Sequence, residues 1–141
     1  MIDIRPFEVG DKAALSQIYF KCRLDTFHWV PREEFRIEDF EKDTDGEVIL
    51  VAIHDSTPIG FASVWKQDNF LHHLYVDPEH QNRGVGKRLL NEALNRIGRP
   101  ARLKCVVKNS KACQFYEMNN WNIESTTHEG PMGSYHTYML T

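Results

Sequence analysis

The stretch Leu74-Tyr75-Val76-Asp77-Pro78-Glu79-His80-Gln81-Asn82-Arg83-Gly84-Val85-Gly86-Lys87-Arg88 has the makings of an anion site. An extended run ends at Val76, and Pro78 cannot continue its ladder. A loop then leads into a helix that opens with two glycines. Backbone N–H groups at a helix N-terminus lack intrahelical partners and sit at the positive end of the dipole, so they favour phosphate. Gly84 and Gly86 let a ligand approach the main chain, while Arg83, Lys87 and Arg88 add positive charge. The spacing therefore favours a phosphate-bearing ligand over a plain strand-to-helix turn. Two ligand classes are excluded by the pattern. A nucleoside-triphosphate loop, Gly-x-x-x-x-Gly-Lys-Ser/Thr, fails because residue 81 is Gln and Gly86-Lys87 is followed by Arg88. A dinucleotide fingerprint fails because the third residue after Gly86 is Leu89.

The elements that would position this loop follow from periodicity. Ile2 and Ile4 alternate with polar neighbours, as in a short strand. Asp11 stands as an N-cap before Ala14, Leu15, Ile18, Tyr19 and Cys22, which recur at helical spacing. After an aromatic break at residues 27–30, Pro31 suits the first turn of a second short helix, running through Phe40. Three strand-like runs follow, at Glu47 to Ile53, Ile59 to Trp65 and Phe70 to Val76. The short turns between them imply an antiparallel meander. Residues 84–97 form the clearest amphipathic helix, with Val85, Leu89, Leu90, Ala93, Leu94 and Ile97 on one face. A strand over 102–107, a helix from Asn109 or Ser110 to about Asn119, and strands over 121–127 and 135–140 complete the chain. This order predicts an α/β fold: a mixed, mostly antiparallel central sheet flanked by helices, in one domain spanning residues 1–141.

Composition narrows the field. The chain has 141 residues, 41% apolar and 26% charged, an ordinary globular balance. Its net charge of −3 argues against a general nucleic-acid binder and mildly favours cationic partners. No apolar run reaches the length of a membrane span, and residues 1–5 lack the apolar stretch of a signal peptide. Cys22, Cys105 and Cys113 form neither a Cys-x-x-Cys pair nor a disulfide pattern, so reduced thiols in a cytoplasmic setting are expected.

Gln81-Asn82-Arg83-Gly84-Val85-Gly86 resembles the Gln/Arg-x-x-Gly-x-Gly/Ala signature of the GNAT superfamily of N-acetyltransferases. The preceding Leu-x-Val-x-Pro is also usual there. Downstream, Asn109-Ser110-Lys111-Ala112-Cys113-Gln114-Phe115-Tyr116 resembles the family's Asn-x-x-Ala-x-x-Phe-Tyr segment. The predicted element order fits the family over nearly the whole chain. One departure is Asn120-Trp121 where the family usually has Gly-Phe, and Asn tolerates the left-handed conformation needed there.

The resemblance implies acetyl-CoA as cosubstrate and direct acetyl transfer to a primary amine. It assigns the pyrophosphate to the backbone of Gln81, Asn82, Arg83, Gly84, Val85, Gly86 and Lys87. It assigns the pantetheine arm to Leu74, Tyr75 and Val76, with Asn109, Ala112 and Phe115 along the groove. Tyr116 matches the family's proposed general acid: a phenol can donate to the departing thiolate. The base is expected on the strand before the loop. There His72 and His73 should point to opposite faces, so only one can face the groove, and His73 is preferred. A metal site at His72, His73 and His80 is not expected. Acceptor contacts are expected from Phe27, His28, Trp29, Glu33 and Glu34, by cation–π and ionic contact. Homodimerisation through the last strands is common in the family. Tyr135, Thr137 and Met139 alternating with His136, Tyr138 and Leu140 fit such an interface. The competing reading is a non-catalytic acyl-CoA-binding regulatory module. A further question is whether the acceptor is a small amine or a peptide amine.

Overall fold

The computed structural model describes residues 1–141. Seven strands make one sheet: β1 (Ile2–Pro6), β2 (Val48–His54), β3 (Thr57–Trp65), β4 (Phe70–Val76), β5 (Ala101–Val106), β6 (Asn122–Thr127) and β7 (Tyr135–Leu140). Their order across the sheet is β1-β2-β3-β4-β5-β7-β6, and every neighbouring pair is antiparallel except β4 and β5. Four helices flank it: α1 (Lys12–Thr26), α2 (Asp39–Asp43), α3 (Val85–Leu94) and α4 (Ser110–Met118). No helix is long and apolar enough to cross a membrane.

Strand alternation divides the core between the two faces. Val51 and Phe61 pack with Leu15, Ile18, Tyr19, Cys22 and Phe40 under α1 and α2. Leu50, Ala52, Ala62 and Val64 pack on the other face with Val85, Leu89, Leu90 and Ala93 of α3 and Cys113 of α4. The apolar stripe read from residues 84–97 is thus the buried face of α3. The expected helix through Phe40 is instead a short 3-10 turn at Arg32–Glu34 followed by α2. Phe35 is extended between them, and the break carries its ring into the core beside Phe27 and Arg23. Asp39 fixes the break by accepting from Arg36 N at 2.9 Å and Arg23 Nη1 at 3.1 Å. Asp11 does precede α1, but its carboxylate makes no cap bond to that helix. It is held by Arg5 at 2.7 and 2.9 Å and accepts from Glu8 N. Strand β7 lies between β5 and β6, so its two partly apolar faces serve an interior strand of this sheet.

The parallel pair β4–β5 meets only at Phe70 and Arg102. Asn69 pins this vertex: its carbonyl accepts from Arg102 N at 3.1 Å and its Oδ1 accepts from Gly98 N at 2.8 Å. Its own backbone is left-handed, with φ 50°. Beyond the vertex the strands diverge. Asn69→Ala is expected to lower the unfolding free energy in urea by about 1–3 kcal/mol, from the lost side-chain bond plus left-handed strain. Asn69→Gly, which keeps the conformation, should lose less.

Candidate active site

The divergence of β4 and β5 opens a cavity of about 530 Å3. Leu74 and Tyr75 of β4 line one wall; Cys105 and Val106 of β5 with Asn109, Ala112 and Tyr116 line the other. Tyr19 and Arg23 of α1, with Phe27, Phe35 and Asp43, reach in from the α1 face. The cavity thus joins the two faces of the sheet.

At the end of β4 the Gly-rich loop turns into α3. Asp77 caps a one-turn 3-10 segment by accepting from Glu79 N at 3.1 Å. The Gln81 side chain donates to Val76 O at 2.9 Å and accepts from Lys111 Nζ at 3.3 Å, tying the loop to β4 and α4. Asn82 and Gly84 are left-handed, with φ 65° and 79°. Gly84 is the N-cap of α3 and supplies no side-chain cap, so the first-turn amides at Val85, Gly86 and Lys87 stay available to an anion. Gln81, Asn82, Arg83, Gly84 and Lys87 are exposed, Gly86 half-buried, and Val85 buried as the foot of α3. Phe115 of α4 stands beside Gly86, 3.7 Å from where a Cβ would be. Asn109 caps α4 by accepting from Ala112 N at 3.3 Å. Asn120 takes the left-handed turn expected of it, with φ 73°.

The histidine pair differs from expectation. His72 and His73 do not point to opposite faces; both line the cavity, with ring centroids 3.8 Å apart. The reason is a β-bulge. Ser63 pairs with His73 while Val64 pairs with Leu71, leaving His72 without an opposite residue. The extra residue shifts the alternation by one, so Leu71 packs on the α3 face while His73 and Tyr75 meet Tyr19 on the α1 face.

Behind both rings sits Glu47, whose side chain is only 5% exposed. Its Oε2 lies 2.5 Å from His72 Nδ1 and its Oε1 3.5 Å from His73 Nδ1. Burial alone would raise its pKa, but the hydrogen bond from His72, with His73 close by, holds it at about 2. His73 is enclosed: Ser63 Oγ is 2.8 Å from Nδ1 and the Tyr19 hydroxyl 3.4 Å from Nε2. Burial holds its pKa below the usual imidazole value, against the pull of Glu47. Tyr19 donates to Asp43 Oδ2 at 2.7 Å. Across the cavity Tyr116 is half-buried between Phe115, Trp121 and Tyr138. Burial first, then the neighbouring Cys105, raises its pKa, so the phenol keeps its proton at neutral pH. Burial also raises the Cys22 thiol to about 12, and the Cys105 thiol higher still, which disfavours thiolate chemistry at either.

Of the expected acceptor contacts, Phe27 is buried in the cavity wall. Trp29 and Glu34 line an adjoining cavity of about 580 Å3. His28 and Glu33 are exposed and line neither. Trp29 Nε1 donates to Met132 O at 2.8 Å, joining the segment after α1 to the loop between β6 and β7. Tyr19, Asp43, Glu47 and Ser63 were missed in the sequence. Tyr19 was visible only as a helix-face aromatic, and the other three carry no local signal.

This arrangement can hold a phosphate at one end, an extended arm along β4, and proton donors and acceptors in the gap. The model of the Acetyltransferase (GNAT) family matches residues 12–120. The chain belongs to that family. Over 57 residues it is 44% identical to a probable N-acetyltransferase, Rv2775, of Mycobacterium tuberculosis; the match covers 38% of this chain and 32% of that protein, about a third of its length. Its fold is that of apo YjaB from Escherichia coli, at TM-score 0.81 and 20% identity over 99% of this chain and 97% of the other. It is also that of the PaiA N-acetyltransferase of Thermoplasma acidophilum in complex with coenzyme A, at TM-score 0.78 and 23% identity over 99% of both chains.

Tyr19→Phe removes a hydroxyl that Asp43 and His73 share. It is expected to lower stability by about 1–3 kcal/mol in urea denaturation, the range for a lost buried hydrogen bond.

Proposed function

We propose that this chain is an acetyl-CoA-dependent N-acetyltransferase that moves the acetyl group to a small primary amine by direct attack in a ternary complex. The observation that carries the reading is the gap between β4 and β5, with a phosphate-suited helix terminus at one end and proton-transfer groups on both walls. The protein residues fit the cosubstrate. The uncapped first-turn amides of α3 would take the pyrophosphate. The β4 edge at Leu74, Tyr75 and Val76, unpaired on the β5 side, would hydrogen-bond the pantetheine arm as an added strand. Asn109, Ala112 and Phe115 would bound it on the α4 side.

The amine nitrogen attacks the thioester carbonyl carbon; a C–N bond forms and the C–S bond breaks. A β4 amide polarises the carbonyl oxygen. The ammonium first gives one proton to His72, which frees the lone pair for attack; Tyr116 gives its proton to the departing sulfur and regains one from the acylated nitrogen. His72 suits the base role better than His73. Its Nδ1 is engaged by Glu47 and its ring remains 44% exposed, whereas His73 is enclosed by Ser63 and Tyr19 and acts by orientation. Trp29 bridging to Met132 roofs the acceptor side, which favours a small amine over a peptide. Phe27 and Phe35 offer aromatic faces and Asp43 a carboxylate to the approaching ammonium.

Thiol release from acetyl-CoA is measured against polyamines, amino acids and aminoglycosides. Tyr116→Phe and His72→Ala are each expected to lower kcat about 100-fold or more. Calorimetric affinity for acetyl-CoA should be unchanged. Binding without turnover of any amine, or full turnover by Tyr116→Phe, would count against this reading and return the regulatory module.

A further inference from the structure

One carboxylate oxygen of Glu47 and one ring nitrogen from each of His72 and His73 lie within 4.8 Å of one another. The bulge at His72 creates this cluster, because regular alternation would send the two rings apart. A second observation points to a missing partner. Glu47 Oε1 is buried and has no hydrogen-bond partner in the protein, although the side chain is only 5% exposed. A buried carboxylate oxygen without a donor is costly, and a cation relieves that cost.

We propose that Glu47, His72 and His73 form a binding site for a divalent transition-metal ion of the zinc class. Two imidazoles and one carboxylate suit Zn2+, whereas Mg2+ and Ca2+ favour shells of oxygen. Zinc bonds of about 2.0–2.1 Å place neighbouring ligand atoms of a tetrahedron about 3.3–3.5 Å apart. Glu47 Oε1 and His73 Nδ1, at 3.5 Å, already have that separation. His72 Nδ1 now sits on the other oxygen, Oε2, at 2.5 Å, and its half-exposed ring has room to turn toward Oε1 and complete the three ligands. Ser63 Oγ now occupies His73 Nδ1 at 2.8 Å and turns aside when the ion takes that nitrogen. The fourth position opens on the cavity that both histidines line, leaving it to water. Asp43, reached through Tyr19, adds negative charge nearby, and Arg23, which lines the same cavity, is already paired with Asp39.

With the ion on His72 Nδ1, the ring's proton sits on Nε2, which can then accept none from the amine, so the metal-bound and transferring forms exclude one another. That consequence rests on the function proposed above; the site itself does not. Untagged protein is stripped with EDTA, freed of chelator, and titrated with ZnCl2 by calorimetry and with CoCl2 by visible absorption. One ion per chain and a tetrahedral cobalt spectrum are expected. His72→Ala and Glu47→Gln should each weaken zinc binding about tenfold or more, with unchanged circular dichroism, while the exposed His128→Ala should bind as wild type. No stoichiometric ion, or wild-type affinity in both cluster variants, would overturn the site. Acetyl transfer without zinc binding sinks only this inference; zinc binding without transfer to any amine sinks only the enzymatic reading.

Discussion

β4 and β5 run side by side in the same direction but share a single point of pairing, at Phe70 and Arg102. A parallel ladder needs evenly spaced bonds along both strands. Here the ladder stops at the vertex, and the backbone of β4 beyond it is left with an open edge inside the molecule. The rest of the architecture accommodates that gap. On one side β3 pairs with β4 from Gly60 to Trp65, and on the other β7 pairs with β5 along its whole length. Each arm of the gap is therefore rigid, and Asn69 holds them together at one end. An unpaired edge within a fold is a place for a ligand's hydrogen bonds.

Chemistry is distributed around this gap by the two faces of the sheet. α3 and α4 bring the Gly-rich terminus and Tyr116 from one face; α1, α2 and the loop before β2 bring Tyr19, Asp43 and Glu47 from the other. The proposed reaction needs both substrates in one place, and a gap through the sheet lets each enter from its own side. The same gap explains why Tyr116 keeps its proton while Glu47 stays ionised. Tyr116 packs among aromatic rings, where burial favours its neutral form, whereas the hydrogen bond from His72 keeps Glu47 ionised despite its burial.

Much of the scaffold was legible in the sequence because it rests on local period and local chemistry. The meander from residue 47 to 76 and the buried stripe of α3 follow from period, and the loop at residues 81–87 and the Asn109 cap follow from residue type. What was not legible depends on contacts distant in sequence. Nothing near Glu47 marks it as the partner of two histidines 25 residues and more away. The bulge at His72 arises from the pairing of β3 with β4, so alternation alone placed the two rings on opposite faces. Residues 31–40 break into a turn and a short helix because Phe35 fills a core position beside Phe27 and Arg23, a demand of packing rather than propensity.

The most direct measurement on the gap itself is hydrogen–deuterium exchange with and without acetyl-CoA. If the cosubstrate lies along the open edge of β4 with its pyrophosphate on α3, the amides of Leu74 to Val76 and Val85 to Lys87 should become protected together, while those of β1 and β6 exchange as before. Unchanged exchange at both segments under saturating acetyl-CoA, or protection confined to another surface, would contradict the account.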